Sequence, residues 1–247
     1  MLQRRAFQDD PALDIAVSRA ILTRVAAGEL PETLRLTRPG AMVAFGRQDV
    51  VSAAYPAALQ AARDGGFEPI ERLAGGRAAV FHERTLAIAH ARADEEPQAH
   101  IYQRFEEWSG LIAAALRRVG VDAGVGEVPG EYCPGGYSVH AGGTIKLAGI
   151  GQKLVKCAGH LGGVLVVGDS ARVRDVLVPV YQALGLPFDP ATAGSVEDVL
   201  PGASLEDVEA ALLGELERLY ELEEGELDDD TLALARELSS GPLAPGA

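Results

Sequence analysis

The spacing of hydrophobic residues switches along the chain between a helical and an extended period. After Asp10 and Pro11, apolar residues recur at helical spacing until Gly28, which predicts a capped first helix that stops at that glycine. The runs "TLRLTR" and "AMVAFGRQ" then alternate as strands do, and a second helix is predicted over 55–63. Helices and strands are therefore mixed from the start of the chain.

The middle of the chain predicts a strand in "FEPIERL", which leads into a glycine pair. The segment "RAAVFHERTLAIAHARA" predicts either two strands about a tight turn at Glu83 and Arg84 or one long bent strand. A helix with one apolar side is predicted over 98–119.

The stretch 131–167 has a strand pattern in "TIKLAG", "QKLVKCA" and "GGVLVVG". The glycine pairs between these runs are expected to supply the positive φ angles of hairpin turns. Helices are predicted again over 172–184 and 204–222, the second opened by a Ser-x-x-Asp cap. The terminal "SSGPLAPGA" is expected to fray.

This order of elements has no regular strand–helix–strand alternation. It therefore favours an α+β fold, with a largely antiparallel mixed β-sheet flanked by helices, over a doubly wound parallel sheet. A chain of 247 residues can form one large domain with a small appendage. The predicted division is a main domain over 1–200 and a short acidic helical extension over 201–240.

The net charge of −14 is concentrated in one segment. Residues 206–230 hold twelve acidic residues against Arg218 alone, so the rest of the chain carries only −3. The acidic segment is expected to be a solvated helical face, and the nearly neutral body could accept acidic protein partners. Basic clusters typical of nucleic-acid binding are absent from the sequence, and so is any apolar run of the length that a membrane span needs.

Two cysteines in a chain of this length do not make a disulfide framework, which fits free thiols in a reducing cytoplasm. Cys133 lies beside Pro134 in a glycine-rich stretch, so it is expected in a loop, either as a nucleophile activated by a nearby cation or as an inert small residue. Cys157 lies in the alternating run "KLVKCAGH" and fits the inert alternative.

The segment "ERLAGGRAAVFH" combines a glycine pair with two arginines. Such a turn can bring backbone N–H groups close to an anion, while guanidinium groups grip a carboxylate or phosphate; a plain surface turn is the alternative. Its spacing is that of neither a P-loop nor a dinucleotide fingerprint. The other candidate side chains have no metal-like or triad spacing, and each could equally be structural: Lys146, Lys153, Lys156, His82, His90 and His160.

Taken in order, these segments resemble the lipoate-protein ligase, octanoyltransferase and biotin ligase superfamily over residues 11–169. "DPALDIAVSRAIL" with "LRLTRPGAMVAFGRQD" resembles that family's first helix and strand pair, and "ERLAGGRAAVFH" is similar to its lipoyl-pocket loop. "IKLAGIGQ" is similar to the segment that carries its lysine, which selects Lys146. Ile150 and Gly151 stand where that segment usually has Ser-Ala.

The resemblance implies a biotin/lipoate protein ligase-like catalytic domain that transfers an octanoyl or lipoyl group to the lysine of a lipoyl domain. The ligases use ATP and Mg to form an acyl adenylate, whereas the cysteine-dependent octanoyltransferases need no cofactor and hold the group on a cysteine. Cys133 occupies that cysteine position, and the short helices after Asp169 leave little room for a ligase's accessory domain. The transferase is therefore preferred, with an ATP-dependent lipoate or biotin ligase as the alternative.

The resemblance also implies roles and partners. Cys133 and Lys146 would be catalytic, Lys146 stabilising the thiolate, with no metal; Val80, Phe81 and Ile88 are expected to line an acyl slot. The implied donor is acyl carrier protein, and the implied acceptor is a lipoyl domain of a 2-oxoacid dehydrogenase or the glycine cleavage H protein. A scaffold that has lost activity, suggested by "GIGQ", is the third alternative. The implied substrate-binding residues are Arg72, Gly75, Gly76, Arg77, His82, Gly149, Gln152 and His160.

Overall fold

The computed structural model describes residues 1–239, so the predicted fraying of the tail lies outside the described residues from 240 onward. The helices are α1 Pro11–Ala26, α2 Arg47–Val50, α3 Tyr55–Asp64, α4 Ile101–Arg118, α5 Ser170–Leu184, α6 Val196–Val199, α7 Leu205–Leu216 and α8 Asp229–Ser239. The strands are β1 Leu2–Gln3, β2 Thr33–Thr37, β3 Met42–Phe45, β4 Glu68–Glu71, β5 Ala79–Phe81, β6 Thr85–Ala93, β7 Ala123–Val125, β8 Val139–Ala141, β9 Ile145–Val155 and β10 Ala158–Val166.

These strands form a seven-stranded sheet in the order β1-β2-β6-β10-β9-β8-β7 and a three-stranded sheet in the order β4-β3-β5. In the large sheet β1 and β2 pair in parallel and the other neighbours pair antiparallel. The small sheet has one parallel and one antiparallel pair. The predicted α+β fold with a largely antiparallel mixed sheet and flanking helices is confirmed.

The first helix is built as its local sequence predicts. The Asp10 carboxylate accepts a hydrogen bond from the Leu13 N–H, Pro11 opens the helix, and Gly28 has a φ of 73° just beyond its end. The two-strand interpretation of "RAAVFHERTLAIAHARA" is also confirmed, although β5 and β6 belong to different sheets. These features depend on neighbours in the chain, which is why the sequence predicts them well.

The predicted hairpin turns at the glycine pairs of 145–163 are wrong. "TIKLAG" and "QKLVKCA" are parts of one strand, β9, and the turn into β10 falls at Cys157, which is exposed with a φ of 65°. Cys157 therefore lies at an exposed turn and not inside a strand, as its alternating run had suggested. Gly151 instead permits a close approach, since a Cβ there would lie 2.8 Å from the Gly75 carbonyl oxygen.

The acidic segment is not uniformly solvated. Glu209 of α7 is only 6% exposed and forms ion pairs with Arg4 and Arg38, while Leu212 and Leu216 of the same helix lie in the core. The division between 1–200 and 201–240 stays a prediction. Within residues 1–239, no helix has the length and apolar character needed to cross a membrane.

The two faces of the large sheet are packed differently. One face carries large apolar side chains, such as Leu36 of β2 and Leu86 of β6, in a core shared with α4 and α7. The alternate residues of the same strands point the other way, and those in the middle of the sheet are small. Because small side chains leave space between the sheet, the small sheet and α1, this second face contains the cavity described next.

Candidate active site

A cavity of about 570 Å³ lies on this second face, and most of the predicted site residues meet in it. Cys133 precedes β8, Lys146 lies on β9, and the Gly75–Gly76 turn follows β4, so three separate segments converge there. The predicted residues that line the cavity are Arg72, Gly75, Gly76, Cys133, Lys146, Gly149, Gln152 and His160.

The backbone of Cys133 is held from a distant helix. Its φ is +43°, and its N–H donates a 2.7 Å hydrogen bond to the Tyr181 hydroxyl, which in turn donates to the Ala78 carbonyl at 2.9 Å. A non-glycine residue with positive φ persists when its surroundings enforce it. Tyr181 of α5 therefore helps to fix the position of the thiol, a role that the sequence did not reveal.

The Cys133 sulfur faces two donors. The Arg77 backbone N–H lies 3.2 Å from Sγ, and Nη2 of Arg72 lies 3.4 Å from it. Burial raises the pKa of the thiol, but Arg72, Lys146 and the Arg77 N–H together outweigh burial, so the pKa is lowered from its ordinary value. The expectation that Lys146 stabilises the thiolate agrees with this, and Arg72 contributes the larger effect.

Gly76 is required by this geometry. Its φ is +109°, and a Cβ at this position would lie 2.8 Å from the Cys133 sulfur and 1.9 Å from Nη2 of Arg72. No side chain fits there without displacing the thiol or the guanidinium. Gly75 differs, because a Cβ there would meet only the Gln152 carbonyl oxygen at 3.8 Å.

The Lys146 ammonium is buried beside two backbone carbonyls and one carboxylate. Its Nζ donates to the carbonyl oxygens of Tyr132 and Cys133 at 2.9 and 2.8 Å, and it lies 3.4 Å from Oε2 of Glu131. The two carbonyls accept two of the three ammonium N–H groups, and the Glu131 contact is an ion pair rather than a hydrogen bond. Burial lowers the pKa of Lys146, and although Cys133 and Glu131 raise it, the net direction is downward.

Glu131 is a site residue that sequence reasoning missed. Its side chain has 0% exposure, and its Oε1 accepts hydrogen bonds from the Gly135 N–H at 3.0 Å and the Ser138 hydroxyl at 2.7 Å. Its Oε2 has no hydrogen-bond partner within the described part of the chain. The only available signal was a carboxylate two positions before the candidate cysteine.

Two predicted site residues lie elsewhere. His82 does not line the cavity; it is buried after β5, where burial lowers its pKa and its Nδ1 accepts the Arg84 N–H. The Arg77 guanidinium pairs with Asp49 at 3.1 Å, so Arg77 contributes its backbone N–H rather than its charge. Of the three residues expected to form the acyl slot, Val80 is not among those that line the cavity.

Four more residues singled out in the sequence lie at the cavity. Phe81 lines it, and Ile88 borders it although Ile88 also packs in the core on the other face of the sheet. Gln152 uses its amide for two structural bonds, accepting from Nε of Arg104 at 2.7 Å and donating to the Ile101 carbonyl at 2.8 Å. Burial lowers the pKa of His160 to about 3, so its ring is neutral at ordinary pH. Among residues 1–239, no group of three or more metal-ligating side chains is found.

Comparison with known families adds to this geometry. Residues 10–217 match the family described as the lipoyl protein ligase A/B catalytic domain. A protein of Geobacillus kaustophilus, named octanoyl-[GcvH]:protein N-octanoyltransferase, is 29% identical over 192 residues, which cover 78% of this chain and 67% of the relative. A protein of Bacillus velezensis with the same name is 27% identical over 223 residues, covering 85% and 77%.

Solved structures share the fold. Lipoate-protein ligase A bound with ATP superposes with a TM-score of 0.80 at 20% identity, covering 97% of this chain and 93% of that one. A putative lipoate protein ligase from T. acidophilum with bound lipoic acid gives a TM-score of 0.78, with the same identity and coverage. At this identity the superpositions establish the fold alone.

Proposed function

This chain belongs to the lipoyl protein ligase A/B catalytic domain family, and we propose that it is a cysteine-dependent octanoyltransferase within that family. One observation carries the proposal: the Cys133 sulfur lies where the Arg72 guanidinium and the Arg77 N–H converge, at the wall of an acyl-sized cavity. A ligase that forms an acyl adenylate would have no need of an activated thiol at this position.

The first step is attack of the Cys133 thiolate on the acyl carbonyl of the donor. The new S–C bond forms as negative charge develops on the carbonyl oxygen. Collapse of this intermediate breaks the bond to the carrier and leaves an acyl-cysteine; a thioester donor departs as a thiolate, whereas a donor that holds the group on a lysine takes up a proton from solvent as its amine departs. The sulfur loses its negative charge in this step, so Arg72 and the Arg77 N–H are released to stabilise the oxyanion. One such donor contributes about 3 kcal/mol to transition-state stabilisation.

In the second step, the neutral amine of the acceptor lysine attacks the acyl-cysteine, its nitrogen loses one proton to solvent, and the Cys133 thiolate leaves as the amide forms. Lys146 supports both steps through its charge rather than through a hydrogen bond to the substrate. Two of its N–H groups are donated to the backbone carbonyls of Tyr132 and Cys133. Contact between Lys146 and the substrate oxygen would use the N–H group that neither carbonyl accepts, in competition with the 3.4 Å ion pair to Glu131.

The proposed partners are lipoyl-type carrier proteins. The relatives' names write octanoyl-[GcvH] before the colon, the place that such names give to the donor, and a protein after it. One structural neighbour is titled as a bi-partite lipoate protein ligase and its E2 lipoyl domain. We therefore favour octanoyl-GcvH and a lipoyl domain as the exchanging pair. Acyl carrier protein as donor and residence in the cytoplasm stay predictions.

The experiment is intact-protein mass spectrometry after incubation with octanoyl-GcvH or octanoyl-acyl carrier protein. We expect one octanoyl adduct on Cys133 that disappears when a lipoyl domain is added. Cys133→Ala should lose the adduct and at least about 10³-fold in transfer rate, whereas Cys157→Ala, which removes the exposed second thiol, should keep both. Full transfer activity in Cys133→Ala would overturn the proposal.

The ligase alternative rests on the ATP-bound structural neighbour, which shares the fold at 20% identity. The transferase as proposed needs no cofactor, because the donor already holds an activated or carrier-bound acyl group. Exchange of labelled pyrophosphate into ATP in the presence of free octanoate or lipoate separates the two. Exchange that persists in Cys133→Ala would favour the ligase.

A further inference from the structure

One hydroxyl group joins the two backbone segments that meet at the thiol. The Tyr181 hydroxyl accepts the Cys133 N–H at 2.7 Å and donates to the Ala78 carbonyl oxygen at 2.9 Å. Ala78 directly follows Arg77, whose N–H lies 3.2 Å from the Cys133 sulfur. The nucleophile and the backbone donor that faces it are therefore tied to the same side chain of α5.

The Tyr181 hydroxyl has a fixed position and a fixed role. Tyr181 is only 2% exposed, and its ring packs against Phe188 with the ring centroids 5.2 Å apart. Burial and the neighbouring Cys133 thiolate raise the pKa of Tyr181 well above its ordinary value, so the hydroxyl keeps its proton. Because a phenol has one proton, which is donated to Ala78, its oxygen meets the Cys133 N–H as an acceptor.

This arrangement withholds the N–H of the nucleophile from the reaction. In serine proteases of the chymotrypsin type, the backbone N–H of the nucleophilic residue is one of the donors that bind the oxyanion. Here the Cys133 N–H is already donated to Tyr181, away from any substrate. Negative charge that develops on the acyl oxygen must therefore be met by other donors.

Two residues supply donors beside the sulfur. The Arg77 N–H and Nη2 of Arg72 lie 3.2 and 3.4 Å from it, and Nε of Arg72 is buried with no hydrogen-bond partner among residues 1–239. Arg77 is also anchored through its side chain, since its guanidinium pairs with the buried Asp49 at 3.1 Å. The oxyanion position therefore depends on how the sulfur and the Arg77 N–H are aligned.

Given the proposed function, we infer that Tyr181 is a positioning residue for the oxyanion, because it aligns the Cys133 sulfur with the Arg77 N–H. That N–H and Arg72 are then the site where the acyl oxygen becomes negative. The hydrogen bonds of Tyr181 go to backbone atoms of Cys133 and Ala78 and not to the sulfur. Loss of the hydroxyl should therefore slow reactions that pass through an oxyanion and spare reactions that need only the thiolate. A residue that merely supported the fold would affect both alike.

The test compares two reactions of Cys133 in Tyr181→Phe, which keeps the ring that packs against Phe188. Acylation by octanoyl-pantetheine forms an oxyanion, whereas alkylation by iodoacetamide forms an S–C bond with loss of iodide and no oxyanion. We expect the acylation rate constant to fall about 100-fold and the alkylation rate constant to change less than about threefold. Both are single-turnover rates at one pH, followed by peptide mass spectrometry, which separates Cys133 from Cys157.

Tyr220→Phe is the matched control. It also removes a tyrosine hydroxyl that donates a hydrogen bond, here to Glu107, but Tyr220 is not among the residues that line the cavity. Both rate constants should therefore stay within about twofold of the parent. Thermal unfolding of the two variants checks that each is folded at the assay temperature.

Arg77→Met tests the same alignment from its other side. It keeps the N–H at this position but removes the ion pair with Asp49 that anchors the residue. We expect a smaller selective loss, about tenfold in acylation, with alkylation again within about threefold of the parent. Since the two variants lose different contacts, either one tests the alignment if the other is unstable.

The outcomes separate this inference from the proposed function. Parental acylation in folded Tyr181→Phe and Arg77→Met, or equal losses of acylation and alkylation in both, would overturn the role of Tyr181 and leave the proposed function intact. Failure of the parent protein to be acylated by octanoyl-pantetheine or by any octanoyl carrier protein would overturn the proposed function instead.

Discussion

Two buried ion pairs lie at opposite ends of the same cavity, and they differ in how completely they are satisfied. Arg35 and Asp14 are 2.9 Å apart, with every guanidinium N–H donated and the carboxylate also accepting the Phe7 N–H. Lys146 and Glu131 are 3.4 Å apart, and Oε2 of Glu131 has no hydrogen-bond partner among residues 1–239. We call Arg35–Asp14 the sealed pair, because every N–H group of its guanidinium has a partner. We call Lys146–Glu131 the open pair, because Oε2 of Glu131 is an unused hydrogen-bond acceptor.

The difference separates a structural role from a chemical one. A buried charge that loses its partner is costly, so a fully satisfied pair resists any rearrangement. A partly satisfied pair can exchange a contact or shift its pKa at smaller cost, which a reaction with changing charge requires. The sealed pair therefore suits a wall, and the open pair suits the position beside the thiol.

Breaking the sealed pair should have the largest effect on stability. Asp14→Ala leaves the Arg35 guanidinium buried without its carboxylate, and we expect the free energy of unfolding to fall by about 3–5 kcal/mol. Urea denaturation measures this. Asp10→Ala, which removes only the cap of the same helix, is the control and should cost about 1 kcal/mol. Equal losses in the two variants would argue against the sealed pair.

Displacing the thiol beside Lys146 and Glu131 should remove activity, and the positive φ of Gly76 should add a stability cost of about 1–3 kcal/mol. Gly76→Ala places a methyl group against the Cys133 sulfur and Arg72, so we expect acyl transfer to fall about 100-fold. Gly75→Ala meets only an ordinary contact and should retain activity within about twofold of the parent. The contrast is read from single-turnover acylation rates, and similar losses in both would mean that the turn tolerates no side chain at all.

Removing the Glu131 charge from the open pair should shift the pH profile of activity rather than unfold the protein. Glu131 raises the pKa of Lys146, so Glu131→Gln lowers that pKa further, and the alkaline limb of kcat/KM should move to lower pH by about one unit. Ser138→Ala removes one hydrogen bond to Glu131 but keeps its charge, and should leave that limb in place. An unmoved limb in Glu131→Gln would exclude this coupling.

The smallest expected effect is on the ionisation of the Cys133 thiol. The lowered pKa of Cys133 means that its alkylation by iodoacetamide should reach half its maximal rate below pH 8.5, about the ordinary value for a thiol. Arg72 lowers this pKa, so Arg72→Gln should raise the midpoint by up to about one unit. Alkylation at Cys133 is followed by peptide mass spectrometry. A lower midpoint in Arg72→Gln than in the parent would show that Arg72 does not lower the pKa of the Cys133 thiol.

Local sequence determined much of this protein. Asp10, Pro11 and Gly28 set the first helix because caps depend on residues a few positions apart. The family resemblance selected Cys133 and Lys146, and the structure brings both into one cavity. His82 was misplaced because its position at a strand end does not reveal which side of the sheet it faces.

Tertiary structure alone decided which groups complete the site. Tyr181 reaches Cys133 from a helix 48 residues away, and Arg35 closes the cavity through partners on β1 and α1. Gly151 of β9 looks like a turn residue in the sequence, yet it allows the Gly75 loop to approach the strand. Hydrophobic periodicity records which face of an element is buried, whereas hydrogen-bond partners depend on how elements pack, and a single sequence does not encode that in its local pattern.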